Sequence, residues 1–377
     1  MLLIKTRRDT LLAPLQAVSG IVERRHTLPI LSNVLLEKKG DLLTLLATDI
    51  EIQITTSTAD ASGEGDGAVT VGAKKLQEIL RSLPESAEVS LVLDDRRIQV
   101  KAGRSRFNLQ TLPPEDFPCM ALSEGEARKF SVSQKQFRHL IAQTHYAMAA
   151  QDVRYYLNGL LLLVEGQQLR AVATDGHRLA YASMALAEAV DSVAQEEEAT
   201  RYEVIVPRKT VIELNRLLAD SDEPLWIDIL PTQIRFQFGQ INLISKLIDG
   251  RFPDYQRVIP TTLRNVVSVQ RSLLLQSMIR AAILTNEKFR GVRLVLAEGS
   301  LKIIAANAEQ EEAQEEIEVE YNGDPLDVGF NVSYLLDVLN NTSEETIEWG
   351  FNDANSSALL TIPGNDRFKY VVMPMRI

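Results

Sequence analysis

Leu43-Thr44-Leu45-Leu46-Ala47-Thr48-Asp49 recurs as Leu169-Arg170-Ala171-Val172-Ala173-Thr174-Asp175, and again, with more substitution, as Leu301-Lys302-Ile303-Ile304-Ala305-Ala306-Asn307. The two steps are 126 and 132 residues. A second apolar run and a short turn with glycine precede each copy. These are Asn33-Val34-Leu35-Leu36-Glu37 before Gly40, Gly159-Leu160-Leu161-Leu162-Leu163 before Gly166, and Val292-Arg293-Leu294-Val295-Leu296 before Gly299. Two apolar runs joined by a few residues that include Gly predict a β-hairpin. The same hairpin three times, in order and at near-constant spacing, makes the chain a triplicate.

Working outward, each hairpin is followed by a short strand that gives way to apolar residues at helical spacing. Val69-Thr70-Val71 leads into Lys74 to Leu80, Val204-Ile205-Val206 into Arg208 to Leu214, and Val328-Gly329-Phe330 into Ser333 to Leu339. From the Asp or Asn to the end of that strand takes 22, 31 and 23 residues, so the second repeat carries an insertion of about nine. Residues 189–201, with Glu196-Glu197-Glu198, are its expected place. A helix also opens each repeat. Leu11, Leu12, Leu15 and Val18 form one apolar face, Phe137, Leu140 and Ile141 another, and Leu274, Leu275, Met278, Ile279 and Ala282 a third. Each unit of about 125 residues reads as strand, helix, hairpin, strands, helix and more strands, long enough to bury a core of its own. Boundaries are expected at Ser123-Glu124-Gly125 and within 253–262, which gives domains 1–124, 127–255 and 257–377.

Composition bounds the function. The 377 residues are 45% hydrophobic and 24% charged, as in an ordinary globular protein, and no apolar run reaches the length of a membrane span. Cys119 is the one cysteine, which excludes a disulfide framework and a multi-cysteine metal site. The four histidines, at 26, 139, 145 and 177, are scattered. Cys119 has no basic neighbours to activate it and reads as a passive thiol. The chain opens Met1-Leu2-Leu3-Ile4-Lys5 and turns polar without the features of a signal peptide, so a reducing, cytoplasmic location is expected.

The net charge of −11 argues against an ordinary nucleic-acid binder, unless the basic residues gather on one surface. They do cluster by element: Arg7, Arg8, Arg24 and Arg25 flank the first helix, and Lys74, Lys75 and Arg81 the second. Lys135, Arg138 and His139 lie on the third, Arg208, Lys209 and Arg216 on the fourth, and Arg271 and Arg280 on the fifth. The acidic runs fall at 196–198 and 309–320. A charge run is most often a solvated face. The segregation here instead suggests a polyanion held through phosphate contacts, salt-sensitive and blind to sequence.

Several stretches resemble the bacterial DNA polymerase sliding clamp family, the β subunit of the replicative polymerase III holoenzyme. They are Thr27-Leu-Pro-Ile-Leu-Ser-Asn33, Gln151-Asp-Val-Arg-Tyr-Tyr-Leu-Asn-Gly159, Ala173-Thr-Asp-Gly-His-Arg-Leu-Ala180, Asp249-Gly-Arg-Phe-Pro-Asp-Tyr255, Arg280-Ala-Ala-Ile-Leu-Thr-Asn-Glu-Lys-Phe-Arg-Gly-Val-Arg-Leu294 and Tyr370-Val-Val-Met-Pro-Met-Arg-Ile377. The resemblance runs from end to end. It implies an α+β fold of three clamp domains, closed head to tail with a second copy into a ring, with helices lining the inside and antiparallel sheets outside. It further implies a non-catalytic processivity factor that encircles duplex DNA without a cofactor. The implied partners are double-stranded and primed DNA, the replicative polymerase's catalytic subunit, the clamp loader, and other polymerases, ligase and mismatch-repair proteins that insert short hydrophobic peptides. No membrane partner is implied, and the expected location becomes cytoplasmic, on the nucleoid.

Carried over residue by residue, the resemblance points to Arg25, Lys74, Gln151, Tyr155, Tyr156 and Lys209 as DNA contacts. Lys74 stands where Arg is common, which suits a phosphate contact that needs no bidentate geometry. The implied peptide pocket comprises Arg154, Tyr156, Leu157, Thr174, Gly176, His177, Arg178, Leu179, Pro253, Val258, Asn331, Tyr334, Ser357, Val371, Val372, Met373, Pro374, Met375 and Arg376. Its apolar side chains suit an adaptable groove, and Arg and Tyr are typical hot-spot residues. Asn355 departs from an apolar residue common at the pocket rim. For ring closure the matched residues are Phe107, Leu109, Ile283 and Leu284, although Phe107 and Leu109 also suit a buried strand face, and Ile283 and Leu284 an amphipathic helix.

Two other classes compete. Asp175-Gly176-His177-Arg178 contains an Asp-His pair of the kind enzymes use, yet Asp175 aligns with Asp49 and Asn307, which favours a turn residue. No metal site or nucleotide-binding or hydrolase motif accompanies it. A triplicated adaptor that binds only proteins is disfavoured by the basic residues of the helices.

Overall fold

Alternation at period two and apolar spacing of three and four residues do become strands and helices, in the same order three times. The computed structural model describes residues 2–23, 27–59, 61–94, 96–187 and 201–376. The first repeat runs β1 (Leu2–Arg7), α1 (Arg8–Ser19), β2 (Asn33–Lys39), β3 (Leu42–Thr48), β4 (Ile52–Thr58), β5 (Gly67–Gly72), α2 (Ala73–Ser82), β6 (Glu88–Asp94), β7 (Arg97–Ala102) and β8 (Ser105–Gln110). The second runs β9 (Arg128–Ser133), α3 (Gln134–Ala142), β10 (Gly159–Glu165), β11 (Gln168–Thr174), β12 (Arg178–Ala185), β13 (Arg201–Pro207), α4 (Arg208–Leu217), β14 (Pro224–Ile229), β15 (Gln233–Phe238) and β16 (Ile241–Lys246). The third runs β17 (Asn265–Gln270), α5 (Arg271–Ala282), β18 (Gly291–Ala297), β19 (Ser300–Ala306), β20 (Glu312–Glu318), β21 (Leu326–Asn331), α6 (Val332–Asn340), β22 (Thr346–Phe351), β23 (Ala358–Ile362) and β24 (Asn365–Val372). The insertion expected at 189–201 falls between β12 and β13, and all but Arg201 of it lies outside the described residues.

Contacts divide the chain into two units, residues 1–135 with 212–247 and residues 136–211 with 248–377. The first unit holds a four-stranded sheet, β1-β6-β7-β8, and an eight-stranded sheet, β5-β2-β3-β4-β16-β15-β14-β9. The second holds the eight-stranded β13-β10-β11-β12-β24-β23-β22-β17 and the four-stranded β20-β19-β18-β21. All these ladders are antiparallel. Each eight-stranded sheet is continuous across a repeat boundary, through β4 and β16 in one unit and β12 and β24 in the other. The strands equivalent to these, β8 and β20, end their sheets.

Hairpin geometry explains the recurring glycines. Gly40, Gly166 and Gly299 sit at φ of 59°, 57° and 70° between the paired strands, a conformation that disfavours side chains with a Cβ. On the first unit's sheet, Ile98 and Val100 are buried while Arg97, Gln99 and Lys101 point outward. The helices pack the expected faces: Leu11, Leu12, Leu15 and Val18 of α1 and Phe137, Leu140 and Ile141 of α3 are buried. For α5 the expected face shifts. Leu274, Ser277, Met278, Ala281 and Ala282 are buried, whereas Ile279 is 43% exposed.

Helix ends are tied in one recurring way. Arg8 Nη1 donates to the Leu83 carbonyl at the end of α2, and Arg271 Nη1 to the Leu339 carbonyl in the last turn of α6. In the second repeat Gln134 Oε1 accepts from the Ala219 amide just past α4. In the first and third repeats the first residue of the first helix thus caps a carbonyl at the end of the second helix, where such groups lack intrahelical donors. In the second repeat the same position ties down the backbone just past α4. Several basic residues read from sequence as an open cationic face are therefore engaged within the protein. Arg8 and Arg271 are caps, Arg208 donates to the Met148 carbonyl, Arg216 pairs with Glu213, and Arg280 pairs with Glu315.

Candidate functional site

A cavity of about 300 Å³ opens in the second unit. Its floor is one face of the eight-stranded sheet, where Leu179 of β12 stands opposite Val371 of β24. Val371 in turn faces Leu359 of β23. The connection before β17 crosses this face. Phe252 and Tyr255 are buried against it and join Leu161, Val172, Leu179, Ile205, Leu359 and Val371 in one apolar cluster. Pro253, Tyr255 and Val258 then form one wall of the cavity, with Ser357 and Met373 on another and Arg154, Leu157, Thr174, Gly176, His177 and Arg178 completing it. Every lining residue except Tyr255 belongs to the set that the resemblance implies. That residue closes the quoted Asp249 to Tyr255 motif, and its burial beneath the connection is a tertiary effect.

Polar groups fix the cavity's rim. Arg154 donates from Nε and Nη2 to Asp152 at 3.0 and 2.9 Å and from Nη2 to the Asp175 carbonyl at 3.2 Å. The bound guanidinium holds the Asp152 carboxyl at about 2. Arg178 is almost wholly buried and donates to Asp175 Oδ2, Asp337 Oδ2 and the Tyr146 carbonyl. Its guanidinium also sits 4.4 Å from the Tyr334 ring centroid, a cation–π contact. Burial opposes its charge, but Tyr370, Asp337 and Asp175 outweigh that and lift its pKa above the ordinary arginine value.

The remaining expected pocket residues stand outside this cavity wall. Tyr334 packs on Arg178, and Val372 is fully buried opposite Arg178 in the β12–β24 ladder. Asn331 caps α6 by accepting from the Ser333 amide. The Met375 amide donates to the Gly329 carbonyl, which ties down the segment carrying Pro374 and Arg376. Tyr156 packs edge-on against Tyr155 and against the apolar cluster. Asn355 lies in the turn before β23, where its amide donates to Asp353.

Among the expected DNA contacts, Lys74 and Lys209 occupy the second position of α2 and α4, and Ser333 holds that position in α6. Gln151 adopts φ 59°, and Tyr155 is 58% exposed on the short turn before β10. Arg25 lies outside the described residues. Of the expected closure residues, Phe107 and Leu109 are half-buried on β8, and Ile283, just past α5, is 75% exposed beside the half-buried Leu284. Phe289, within the Arg280 to Leu294 motif, follows on the next loop and is 58% exposed.

The enzyme-like motif has a structural explanation. Asp175 Oδ1 accepts from the His177 and Arg178 amides, Asp49 Oδ1 from those of Glu51 and Ile52, and Asn307 Oδ1 from those of Glu309 and Glu311. The residue recurs because it anchors the turn of each repeat, the third turn being one residue longer than the first two. Burial and the nearby Glu37 raise the Cys119 thiol pKa, the opposite of activation. Among the described residues no group of His, Cys, Asp and Glu is placed to hold a metal ion, and no helix is long and apolar enough to cross a membrane.

Comparison with known proteins places the whole chain. Residues 2–121, 131–254 and 256–376 match the N-terminal, central and C-terminal domains of the DNA polymerase III beta subunit. The beta sliding clamp of Pseudomonas aeruginosa is 48% identical over 98% of this chain and 99% of its own, and that of Escherichia coli K12 is 46% identical over 98% of each. The P. aeruginosa clamp solved bound to griselimycin superposes with a TM-score of 0.89 at 48% identity, covering 99% of both chains. With its three matched domains in order, the chain belongs to the DNA polymerase III beta subunit family, the bacterial sliding clamps.

Proposed function

We propose that this chain closes head to tail with a second copy into a ring around duplex DNA, and that its cavity takes short hydrophobic peptides of the proteins it holds there. The chain is a DNA sliding clamp, a non-catalytic processivity factor that tethers the polymerase to DNA. The observation that carries the ring is the pair of open sheet edges. Every internal repeat boundary is joined by strand pairing, and among the described residues only β8 and β20 are left without the partner that their equivalents have. Unpaired edges invite pairing with another chain. Their charges are complementary: residues 96–110 carry five basic and no acidic side chains, and 309–320 carry seven glutamates and no basic side chain. Opposite patches steer association and fix its orientation. A heterologous contact that closes after two copies gives a ring.

Encirclement reconciles DNA binding with a net charge of −11. Topological linkage replaces tight binding, so a few cations such as Arg25, Lys74 and Lys209, with Gln151, Tyr155 and Tyr156, suffice for weak sliding phosphate contact. The cavity combines an aliphatic floor with Arg and His at its rim, which suits peptides with apolar anchors. The replicative polymerase, the clamp loader, other polymerases, ligase and mismatch-repair proteins are the partners proposed for it, in the cytoplasm on nucleoid DNA.

Linearisation tests encirclement. Clamp loaded onto a nicked circle is expected to stay bound through gel filtration and to fall off once the circle is cut. Equal retention on linear DNA would refute the ring. Reversing charge at Arg25, Lys74 and Lys209 together is expected to abolish processive primer extension, and extension that survives would refute the DNA contacts.

A further inference from the structure

The triplication lets helices be matched position by position, since the first helices start at Arg8, Gln134 and Arg271 and the second at Ala73, Arg208 and Val332. Where the first repeat meets the second, Arg216 of α4 donates to the carbonyls of Gln16 and Ala17, at 3.3 and 2.8 Å. These belong to the last turn of α1, whose carbonyls lack intrahelical donors. Arg216 Nε is held by Glu213, itself buried, and a Cβ on Gly20 would collide with that carboxylate.

Chemistry repeats where the second repeat meets the third. Asp337 occupies in α6 the position of Glu213 in α4. It binds Arg178, whose Nη2 donates 2.6 Å to the carbonyl of Tyr146, the counterpart of Gly20. Both internal boundaries therefore join a carboxylate at the sixth position of a second helix, a guanidinium, and a carbonyl in the last turn of the preceding first helix or in the turn just past it. Cations there also complement the helix dipole.

One second helix and one first-helix end lack this partner. Glu78 and Arg81 of α2 stand at the positions of Glu213 and Arg216, are exposed, and make no hydrogen bond or ion pair among the described residues. The end of α5 bears Ile283 and Leu284 at the positions of Gly20 and Ile21. Ile21 and its counterpart Ala147 are fully buried, whereas Leu284 is only half-buried and the adjacent Ile283 is exposed. Beside α2 lies a cavity of about 630 Å³, walled by Glu78, Lys75, Asn108 and Leu109 among others.

Register extends the match. Gln53 of β4 faces Ile244 of β16, and the equivalent Leu179 of β12 faces Val371 of β24. Glu312 takes the place of Gln53, since Thr48 pairs with Gln53 and Ala306 with Glu312. Asn108 takes that of Ile244, since Gln99 pairs with Asn108 and Arg235 with Ile244.

We propose that Glu78 and Arg81 clamp the end of the partner's α5 in the dimer. Arg81 donates to the carbonyls of the partner's Ile279 and the partner's Arg280, and β8 runs against the partner's β20 with Asn108 opposite the partner's Glu312. This rests on the head-to-tail ring above and adds its residue-level contacts.

Sedimentation across a dilution series tests it. Arg81→Ala is expected to raise the dimer dissociation constant roughly tenfold or more, the loss of charge-assisted hydrogen bonds, with an unchanged circular-dichroism spectrum. Gln77→Ala on the same helix is expected to leave it unchanged. In a Cys119→Ser background, Asn108→Cys with Glu312→Cys is expected to give a covalent dimer under oxidised glutathione, and Asn108→Cys with Glu311→Cys only monomer. A dimer of unaltered affinity in Arg81→Ala, or cross-linking in the shifted pair alone, overturns the contact while the ring stands. A wild-type chain that never dimerises overturns both.

Discussion

Arg178 Nη1 lies 2.5 Å from Asp337 Oδ2, so a residue that lines the cavity is also the tie between β12 and α6. The Arg178 side chain is largely buried whereas Asp337 is half-exposed, so removing the arginine empties a packed position, and removing the aspartate's charge leaves the guanidinium still paired with Asp175. Arg178→Ala is expected to cost the fold about 2–4 kcal/mol and to weaken peptide binding as well. Asp337→Asn keeps the cavity wall and is expected to cost about 1–2 kcal/mol with peptide affinity nearly unchanged. Thermal unfolding and fluorescence anisotropy separate the two effects. An unchanged melting temperature for both variants contradicts the structural role.

Gly176 has φ 91°, and a Cβ there would meet the Arg154 guanidinium at 3.0 Å. Gly176→Ala combines backbone strain with displacement of Arg154, for a loss of about 1–3 kcal/mol. Peptide affinity is expected to fall in parallel, because Arg154 leaves its place on the rim. Wild-type affinity would show that this rim is not part of the site.

Met373 is half-exposed on the cavity wall, and its amide is held by the His177 carbonyl. Met373→Ala and Val258→Ala are each expected to weaken a hydrophobic peptide by about 1–2 kcal/mol, roughly five- to thirtyfold. Point changes are cleaner than removing residues 373–377, which would also delete the Met375–Gly329 bridge. Titration with a labelled peptide decides the matter, and unchanged affinity in both variants removes the cavity from consideration.

Asp152 is held at about 2 by its hydrogen bonds from Arg154, below its ordinary 3.8. A depressed carboxylate pKa means that its contribution is complete above the ordinary value and is lost as pH falls through about 2. The carboxyl signal of Asp152 is thus expected to report an ionised group at pH 3, and Arg154→Ala to bring its titration back towards 3.8. An identical titration in both proteins would show the pairing absent in solution.

Charge placed at Ile283 and Leu284 is expected to give monomers by sedimentation, since burying an unpaired carboxylate at a closing interface is costly. A persistent dimer would remove these residues from the interface.

Local signals carried a large share of this protein. Period-two and helical spacing, glycine at the hairpins and Thr-Asp at the next turn depend on neighbours in the chain, so the three repeats and their element order are legible without coordinates. The resemblance likewise marked most of the cavity wall, because Arg154, the Thr174 to Leu179 run and Met373 lie in contiguous motifs. Contacts between distant segments are different. The burial of Tyr255 under the connection, the exposure of Ile279, and the engagement of Arg216 with α1 and of Arg178 with Asp337 arise from docking elements far apart in sequence. A count of basic residues treats each as a free charge, and only packing decides which become helix caps. Sequence periodicity thus determined the repeat. Tertiary structure alone decided how the repeats join, and which strand edges and helix ends remain open, because pairing depends on neighbours that no local pattern names.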